Sequence, residues 1–350
     1  MTYKEALETC IFRYVSGSHA YGTAFPDSDR DVRGVFIAPL DSAFNLFGAT
    51  RIFNGEMLDQ LQAARRLLEE GQYETLDSVL STMSNPSMGD LKLSVETVHA
   101  TGTDAELQEL RKFMKLAADC NPNIVEFLYI EKGIEHMTPQ WEKIMEHRDW
   151  FLSKKAKFTF SGYAIAQLRK IEKYREYLRT PPSHEPTVEE FDAVPYYPMN
   201  YCNAILTLGE EMVPPAVWAA AKNTRNYYTA KNEWHAYQNY LKQRNEKRAQ
   251  YELKFGFDTK HAMHLIRLMR MAHEILKDGR VLVHRPDAEE LMSIREGAWS
   301  YDQCVEHALA LEAELDPLYE ASNLQHRPQH KKISDLYVEL CEEQYGIKVG

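Results

Sequence analysis

Two strand-like patterns of apolar and polar residues lie near the start of the chain. Tyr14-Val15 and the stretch Arg33–Ala38 are rich in β-branched and aromatic residues, and the segment between them is rich in Gly, Ser, Asp and Pro. This arrangement predicts a hairpin-like pair of strands. The alternation from Lys92 to His99 predicts a further strand.

Helical spacing of apolar residues occurs between and after these strands. It predicts a helix from Gly55 to Glu70, a second from about Leu107 to Ala118, and a third that follows Pro122. Strands and helices therefore mix in the first 136 residues.

Long helical patterns dominate the chain after Thr138-Pro139. A proline-rich surface loop is expected from Thr180 to Pro198. The predicted helices are Phe158–Tyr177, Ala216–Tyr251, Lys260–Leu276 and Tyr301–Leu315. This change in character predicts two domains, one that mixes strands and helices over residues 1–136 and a mainly helical one over residues 137–350.

Composition narrows the class of protein. With 350 residues, 44% hydrophobic and 27% charged, the chain is typical of a soluble globular protein that is long enough for two cores. It has no run of about twenty apolar residues and no secretory leader, so we expect neither a membrane span nor export. The five cysteines are scattered without a Cys-x-x-Cys pair, which excludes a cysteine-rich zinc site and predicts free thiols and a cytoplasmic location.

A net charge of −11 is unfavourable for binding nucleic acid, but the charge is unevenly distributed along the chain. Lys154–Thr180 holds eight basic and two acidic residues, and Lys222–Lys254 holds eight basic and three acidic ones. Two basic, tyrosine-rich helical segments in an acidic protein indicate a local surface for a polyanion. The alternative is that these segments are solvated helix faces.

The strongest candidates for catalytic and ligand-binding residues lie between positions 17 and 35. Gly17-Ser18 follows a strand-like stretch, where a backbone without a side chain can approach a triphosphate and a hydroxyl can donate to it. Asp29 and Asp31 alternate at period two, so on a strand both carboxylates point to one face. Such carboxylates repel each other unless a cation lies between them, and their oxygens suit Mg²⁺ or Mn²⁺ bound to substrate phosphates. The alternative is a polar turn with Asx caps.

Gly17-Ser18 followed by Ser28-Asp29-x-Asp31 resembles the signature of the DNA polymerase β-like nucleotidyltransferase superfamily. A longer match is similar to the predicted nucleotidyltransferases associated with RNA-repair pathways. Its motifs are Ser28-Asp29-x-Asp31-x-Arg33-Gly34-Val35, Asp104 before Leu110-Arg111-Lys112-Phe113, Asn121-Pro122-Asn123 with Glu126, Phe151-Leu152-Ser153-Lys154, Gly162-Tyr163-Ala164, Lys260-His261-Ala262-x-His264-Leu265-x-Arg267, and Ile294-Arg295-x-Gly297. The resemblance implies an α+β fold with a small mixed β-sheet and flanking helices, and a nucleoside triphosphate substrate.

The superfamily supplies a third acidic residue from a neighbouring strand, and the resemblance places it at Asp104. Its neighbours Thr103 and Ala105 are unfavourable for a buried strand, so Glu96 and Glu106 remain alternatives. The third acid would complete the metal site and act as general base toward the incoming hydroxyl.

Further side chains are candidates for binding the nucleotide. Ser28 belongs to the motif, and Arg33 projects to the same strand face as Asp31, where it would clamp the triphosphate unless it forms a salt bridge with a neighbouring carboxylate. Lys112 is a candidate phosphate contact, with an ordinary exposed helix position as the alternative. One predicted helix carries a stripe of basic residues, namely Lys260, His264 and Arg267, which we expect to contact phosphate.

These observations predict a metal-dependent nucleotidyltransferase that moves a nucleoside monophosphate from a triphosphate to an acceptor hydroxyl and releases pyrophosphate. The basic segments favour an RNA end as the acceptor. Transfer of AMP onto a partner protein is one alternative, and a non-catalytic nucleotide- or RNA-binding module is another. The paired aspartates argue against the latter, because a binding module needs no paired metal ligands.

Overall fold

The computed structural model describes residues 3–26, 28–40, 105–244 and 246–348. The predicted helix from Gly55 to Glu70 and the predicted strand from Lys92 to His99 lie outside the described residues.

The described strands form a mixed four-stranded sheet. They are β1 (Cys10–Val15), β2 (Val32–Phe36), β3 (Ala105–Glu109) and β4 (Ile134–Met137), in the order β3-β2-β1-β4. β1 is antiparallel to both β2 and β4, whereas β2 and β3 are parallel. The predicted hairpin-like pair and the small mixed sheet are therefore confirmed.

Short helices flank the sheet. They are α1 (Tyr3–Glu8), α2 (Gly17–Tyr21), α3 (Leu110–Ala118), α4 (Pro122–Val125) and α5 (Pro139–Glu146), with 3₁₀ turns at Glu126–Tyr129 and Arg148–Trp150. The helix predicted from Leu107 begins instead at Leu110, because Leu107 belongs to β3 and Glu109 caps α3. The Glu109 carboxylate accepts from the amides of Arg111 and Lys112 at 3.0 and 3.1 Å, which fixes the first turn.

The rest of the described chain is mainly helical, as predicted. It comprises α6 (Ala156–Arg179), α7 (Met199–Leu208), α8 (Pro215–Gln243), α9 (Glu246–Phe255), α10 (Thr259–Asp278), α11 (Ala288–Arg295), α12 (Tyr301–Ala321) and α13 (His330–Tyr345), with 3₁₀ turns at Glu189–Phe191 and Glu210–Met212. The single helix predicted from Ala216 to Tyr251 is thus two helices, α8 and α9. Within the described residues, no helix combines the length and the apolar character of a membrane span.

The chain forms two compact units, both discontinuous in sequence. The first comprises Met1–Ile165, His264–Ser293 and Cys304–Gly350, and the second comprises Ala166–Met263 and Ile294–Gln303. The domain boundary near residue 137 stays a prediction.

An aromatic core attaches the sheet to its helices in the first unit. The rings of Phe12 on β1 and Trp141 on α5 stack with centroids 4.2 Å apart, and Phe113 on α3 lies 5.1 Å from the same indole. Tyr14 and Phe127 complete the cluster with edge-to-face packing at 4.9 Å. All five side chains are buried, so the strand that ends at the candidate site is rigidly supported.

Candidate active site

The candidate site lies at the edge of the sheet where β1 ends and β2 begins. Val15 pairs with Val32 in the antiparallel ladder, so the residues that follow β1 meet the residues that precede β2. The Ser16 amide donates to the Asp31 carbonyl oxygen at 2.8 Å. This register brings Gly17-Ser18 beside the segment that carries the two aspartates.

Gly17 allows a close approach of the Asp31 carboxylate. Its φ is +65°, a conformation that favours glycine, and a Cβ at this position would lie 3.2 Å from Asp31 Oδ2. Ser18, the next residue, is half-buried, and its hydroxyl makes no hydrogen bond to any residue the structure describes. The carboxylate, the bare backbone and the hydroxyl therefore share one edge of the sheet.

The two aspartates precede a strand and do not lie on it, so the expectation that strand alternation points both carboxylates to one face is wrong. β2 begins only at Val32; Asp29 is exposed and Asp31 half-buried in the segment before it. Arg30, between them, forms an ion pair with Glu135 on β4. The side chain between the two aspartates is therefore held toward β4.

Ser28 stabilises the turn that precedes the aspartates. Its hydroxyl accepts from the Phe25 amide at 2.8 Å, and its own amide donates to the Phe25 carbonyl oxygen at 3.0 Å. The Ser28 carbonyl oxygen also lies 3.4 Å from His19 Nε2 on α2, so the described contacts of its hydroxyl are those of a turn residue.

Tertiary contacts hold α2, which is too short to be stable alone. The Tyr21 hydroxyl donates to Glu126 Oε2 at 2.6 Å, and the Tyr21 carbonyl oxygen accepts from the Arg285 amide at 3.1 Å. The Arg267 guanidinium lies over the Tyr21 ring, 3.8 Å from its centroid. The backbone of Gly17-Ser18 is thus fixed by residues from three distant parts of the sequence.

Glu126 is a buried acid within this cluster. Its exposed fraction is only 2%. Burial raises the pKa of Glu126, while Arg267, the Tyr21 hydroxyl and Arg33 oppose the rise without cancelling it. Burial lowers the pKa of Arg33, but neighbouring tyrosine and glutamate side chains outweigh this and raise it. Arg267, the Tyr21 hydroxyl and Arg33 therefore offset part of the cost of burying the Glu126 charge.

A loop before α11 brings further basic groups to the end of α2. Arg285 is fully buried and binds both carboxylate oxygens of Glu274 at 2.6 and 2.7 Å, which anchors the loop. A Cβ at Gly22 would lie 3.2 Å from Nε2 of His284. The Lys132 ammonium lies 3.2 Å from that same nitrogen, and both side chains are exposed.

Of the three candidates for the third acid, only Glu106 lies within the described residues. Its carboxylate lies 3.7 Å from Arg33 Nε and accepts from the Gln108 side chain at 3.0 Å. Arg33 therefore forms a salt bridge with Glu106, which was the predicted alternative to binding the triphosphate. Among the described residues, no three His, Cys, Asp or Glu side chains are placed to hold a metal ion.

The two aspartates nevertheless fit a divalent cation by their chemistry. Asp29 and Asp31 offer hard carboxylate oxygens, and Gly17 leaves the space beside Asp31 free of a side chain. These are the residues that would hold Mg²⁺ or Mn²⁺, together with a third acid.

Lys112 is wrongly predicted as a contact of this site. β2 and β3 are parallel, so α3 begins at the edge of the sheet opposite to Asp31. The five residues of β2 separate the two edges by roughly 13 Å, at about 3.3 Å per residue. A lysine side chain does not bridge this distance to a nucleotide held by Gly17 and Asp31.

The predicted basic stripe on α10 is not uniformly exposed. Lys260 is exposed and His264 half-buried, whereas Arg267 has an exposed fraction of 5%. The Arg267 guanidinium donates to the Met271 sulfur at 3.3 Å and covers Tyr21, so it contacts α2 from within the core. Its position supports the site without projecting into solvent.

Three of the tyrosines of the basic segments are buried. Tyr177, Tyr227 and Tyr240 have exposed fractions of 4%, 7% and 6%, which removes them as surfaces for stacking bases. Several lysines are paired with carboxylates, among them Lys155 with Asp119, Lys157 with Asp316, and Lys173 with Glu176 and Glu233.

A different set of basic residues is available on α8. Lys222, Arg225 and Lys242 are exposed, and they form no ion pair with any residue the structure describes. They share this helix with the exposed polar residues Asn226, Thr229, Asn232 and Asn239. Their spacing of three or four residues places most of them along one side of the helix.

Sequence reasoning did not select Glu126, Tyr21, Lys132 or His284 as site residues. A signal existed for Glu126, because a single acid within the apolar run Ile124–Leu128 is unusual unless it is paired. Lys132 and His284 carried no such signal, since they lie in separate turns.

Comparison with known proteins identifies a family. The profile of a family described as RNA repair pathway DNA polymerase beta family matches residues 3–181, just over half of the chain. No curated protein and no solved structure matches.

Proposed function

Because the chain belongs to the RNA repair pathway DNA polymerase beta family, we propose that it transfers a nucleoside monophosphate from a nucleoside triphosphate to the hydroxyl of an RNA end. Pyrophosphate is the second product. The observation that carries this proposal is the approach of the Asp31 carboxylate to the bare backbone of Gly17 at one edge of the sheet.

Each residue at this edge has a proposed task. Gly17 and Ser18 bind the triphosphate, the former through its accessible backbone and the latter through its hydroxyl. Asp29 and Asp31 hold Mg²⁺ or Mn²⁺, which neutralises phosphate charge and lowers the pKa of the attacking hydroxyl when bound. Lys132, beside the end of α2, adds positive charge for the phosphates, and its ammonium donates to Nε2 of His284.

Asp104 is the proposed third acid and general base, although it lies outside the described residues. Two observations support it over Glu106. The Glu106 carboxylate already faces Arg33. In addition, Val32 and Ala105, the residues that follow Asp31 and Asp104 in the sequence, pair directly in the parallel ladder.

The test is a transfer assay with each α-labelled nucleoside triphosphate, Mg²⁺ or Mn²⁺, and a mixture of RNA and cell protein. We expect label on RNA, and we expect Asp31→Asn to abolish it while the urea midpoint of unfolding stays unchanged. Asp302→Asn, a substitution of an exposed aspartate on α12, is the matched control and keeps full transfer. Label on a polypeptide would identify a protein acceptor instead, and full activity of Asp31→Asn would refute the site.

RNA binding is proposed to use the exposed basic residues of α8. The logarithm of the RNA-binding constant falls as the logarithm of the salt concentration rises, and each contact to a single-stranded phosphate contributes about −0.7 to that slope. Replacing Lys222 and Arg225 by Gln should therefore make the negative slope shallower by about 1.4. The control replaces Lys155 and Lys173, which already pair with carboxylates. Equal slopes for the two double variants in a fluorescence anisotropy titration would contradict this role of α8.

A further inference from the structure

A cavity of about 220 Å³ lies between α3 and α13 in the first unit. Three side chains of its lining are buried and apolar, namely Met114, Ala118 and Ile333. The others are polar or basic and lie nearer to solvent, namely Arg111, Lys115, His330, Ser334 and Tyr337.

The cavity arises from the spacing of small residues on the two helices. On each helix the lining positions are spaced as i, i+3, i+4 and i+7, so each helix contributes one face. Ala118 on α3 and Ser334 on α13 are too small to fill the space between those faces. An apolar floor therefore remains open to solvent beneath a polar rim.

The rim carries positive charge that no lining acid balances. The lining contains one arginine, one lysine and one histidine, and neither Asp nor Glu. Of the acids nearby in sequence, Asp119 pairs with Lys155 at 2.5 Å and Asp335 pairs with Lys331 at 2.8 Å. Glu109, which caps α3, attracts Arg111 but leaves Lys115 without an acidic neighbour in the lining. An anion is therefore the complementary ligand for this rim.

One of the basic groups is already positioned. The Arg111 guanidinium lies 5.7 Å from the centroid of the Tyr337 ring, so its planar donors are held at the side of the cavity. A guanidinium of this kind binds phosphate through two parallel hydrogen bonds, and an ammonium adds a compact charge.

We propose that this cavity binds an organic phosphate, a phosphomonoester with an apolar or aromatic body such as a nucleoside monophosphate. Arg111, Lys115 and His330 bind the phosphate, and the body rests on Met114 and Ile333. Ligand sites are usually apolar pockets with a few convergent polar groups. This site is distinct from the proposed active site, because α3 begins at the opposite edge of the sheet from Asp31.

The test titrates AMP against the full chain by isothermal titration calorimetry, with adenosine and inorganic phosphate as partial ligands. We expect AMP to bind, and the double substitution Lys115→Gln with His330→Gln to weaken its binding at least tenfold. Lys331→Gln is the matched control: it is adjacent to His330, pairs with Asp335 and does not line the cavity, so it should bind AMP as the wild type does. Asp31→Asn separates the two sites and should leave this binding intact.

Photolabelling with 8-azido-AMP, followed by mass spectrometry of the peptides, locates the ligand. Label within residues 111–118 or 330–337 is expected. The proposal is overturned if AMP does not bind at millimolar concentration, if inorganic phosphate or adenosine binds as well as AMP, or if Asp31→Asn abolishes binding while the double variant retains it. Both substituted positions are exposed, so unchanged urea midpoints will show that any loss is not due to unfolding.

Discussion

Gly17→Ala tests the central geometric feature of the proposed active site. The substitution has two separable effects. It forces an alanine into a backbone with a φ of +65°, and it places a methyl group 3.2 Å from Asp31 Oδ2. The first effect acts on stability, and the second acts on the position of a proposed metal ligand.

The structure gives a magnitude for each effect. An L-residue in the left-handed region costs about 1–2 kcal/mol of unfolding free energy. A contact of 3.2 Å requires Asp31 to move by a few tenths of an ångström. Because a misplacement of about 1 Å can cost 10²-fold in rate, a shift of this size should lower transfer roughly 3- to 10-fold.

Gly346→Ala is the matched control in the same unit. Its φ is +64°, nearly equal to that of Gly17, and apart from its chain neighbours no described residue has an atom within 4 Å of a Cβ built there. Urea unfolding should show similar losses of stability for the two variants. The transfer assay should show a loss for Gly17→Ala alone, and equal activities of the two variants would refute the placement of Asp31 in the site.

Two further predictions concern the support of this site. Glu126→Gln should gain stability relative to the wild type as pH rises above about 4.5, which urea unfolding between about pH 4.5 and 7.5 measures. Because the pKa of Glu126 is raised, the folded state binds more protons than the unfolded chain, and deprotonation lowers the free energy of unfolding of the wild type. A difference in unfolding free energy between the two proteins that does not change with pH would contradict this. Gly34→Ala should cost about 3 kcal/mol, the upper end of the usual range for overpacking, because its Cβ would lie 2.5 Å from the Phe12 carbonyl oxygen. Gly162→Ala is a helical control, because beyond its own helix backbone and chain neighbours no described residue lies within 4 Å of the added Cβ. It should be neutral or stabilising by up to about 1 kcal/mol, and equal costs for the two would contradict the steric argument.

Local patterns were sufficient to predict the elements that carry the site. The apolar stretch that ends at Val15 and the one that begins near Val32 both form strands, because their residues favour a pleated, half-buried surface. The long helices after residue 138 were likewise predictable from their period. The strands and the long helices both depend on residues that are close together in the sequence, so local patterns are sufficient to predict them.

Contacts between distant segments were not predictable in the same way. The local periodicity of a helix or strand does not show that Arg267 covers Tyr21 or that Arg33 faces Glu106, since each pair joins residues far apart in the chain. Lys112 was misassigned for the related reason that the parallel pairing of β2 and β3 was unknown. That pairing decides at which edge of the sheet a helix begins.

The glycine of the Arg33-Gly34-Val35 motif explains how these distant segments acquire a defined alignment. Gly34 pairs with Arg13 on one side and with Leu107 on the other, so it lies in the middle of three adjacent strands. A side chain here would meet the Phe12 carbonyl oxygen and the Leu107 methyl group at 2.5 and 2.7 Å. A shift of either ladder by one residue would bring Arg33 or Val35 into this space and reverse the face of every side chain. The absence of a side chain at Gly34 therefore favours the one register that brings Asp31 to Gly17, and a residue that touches no substrate becomes a requirement of the site.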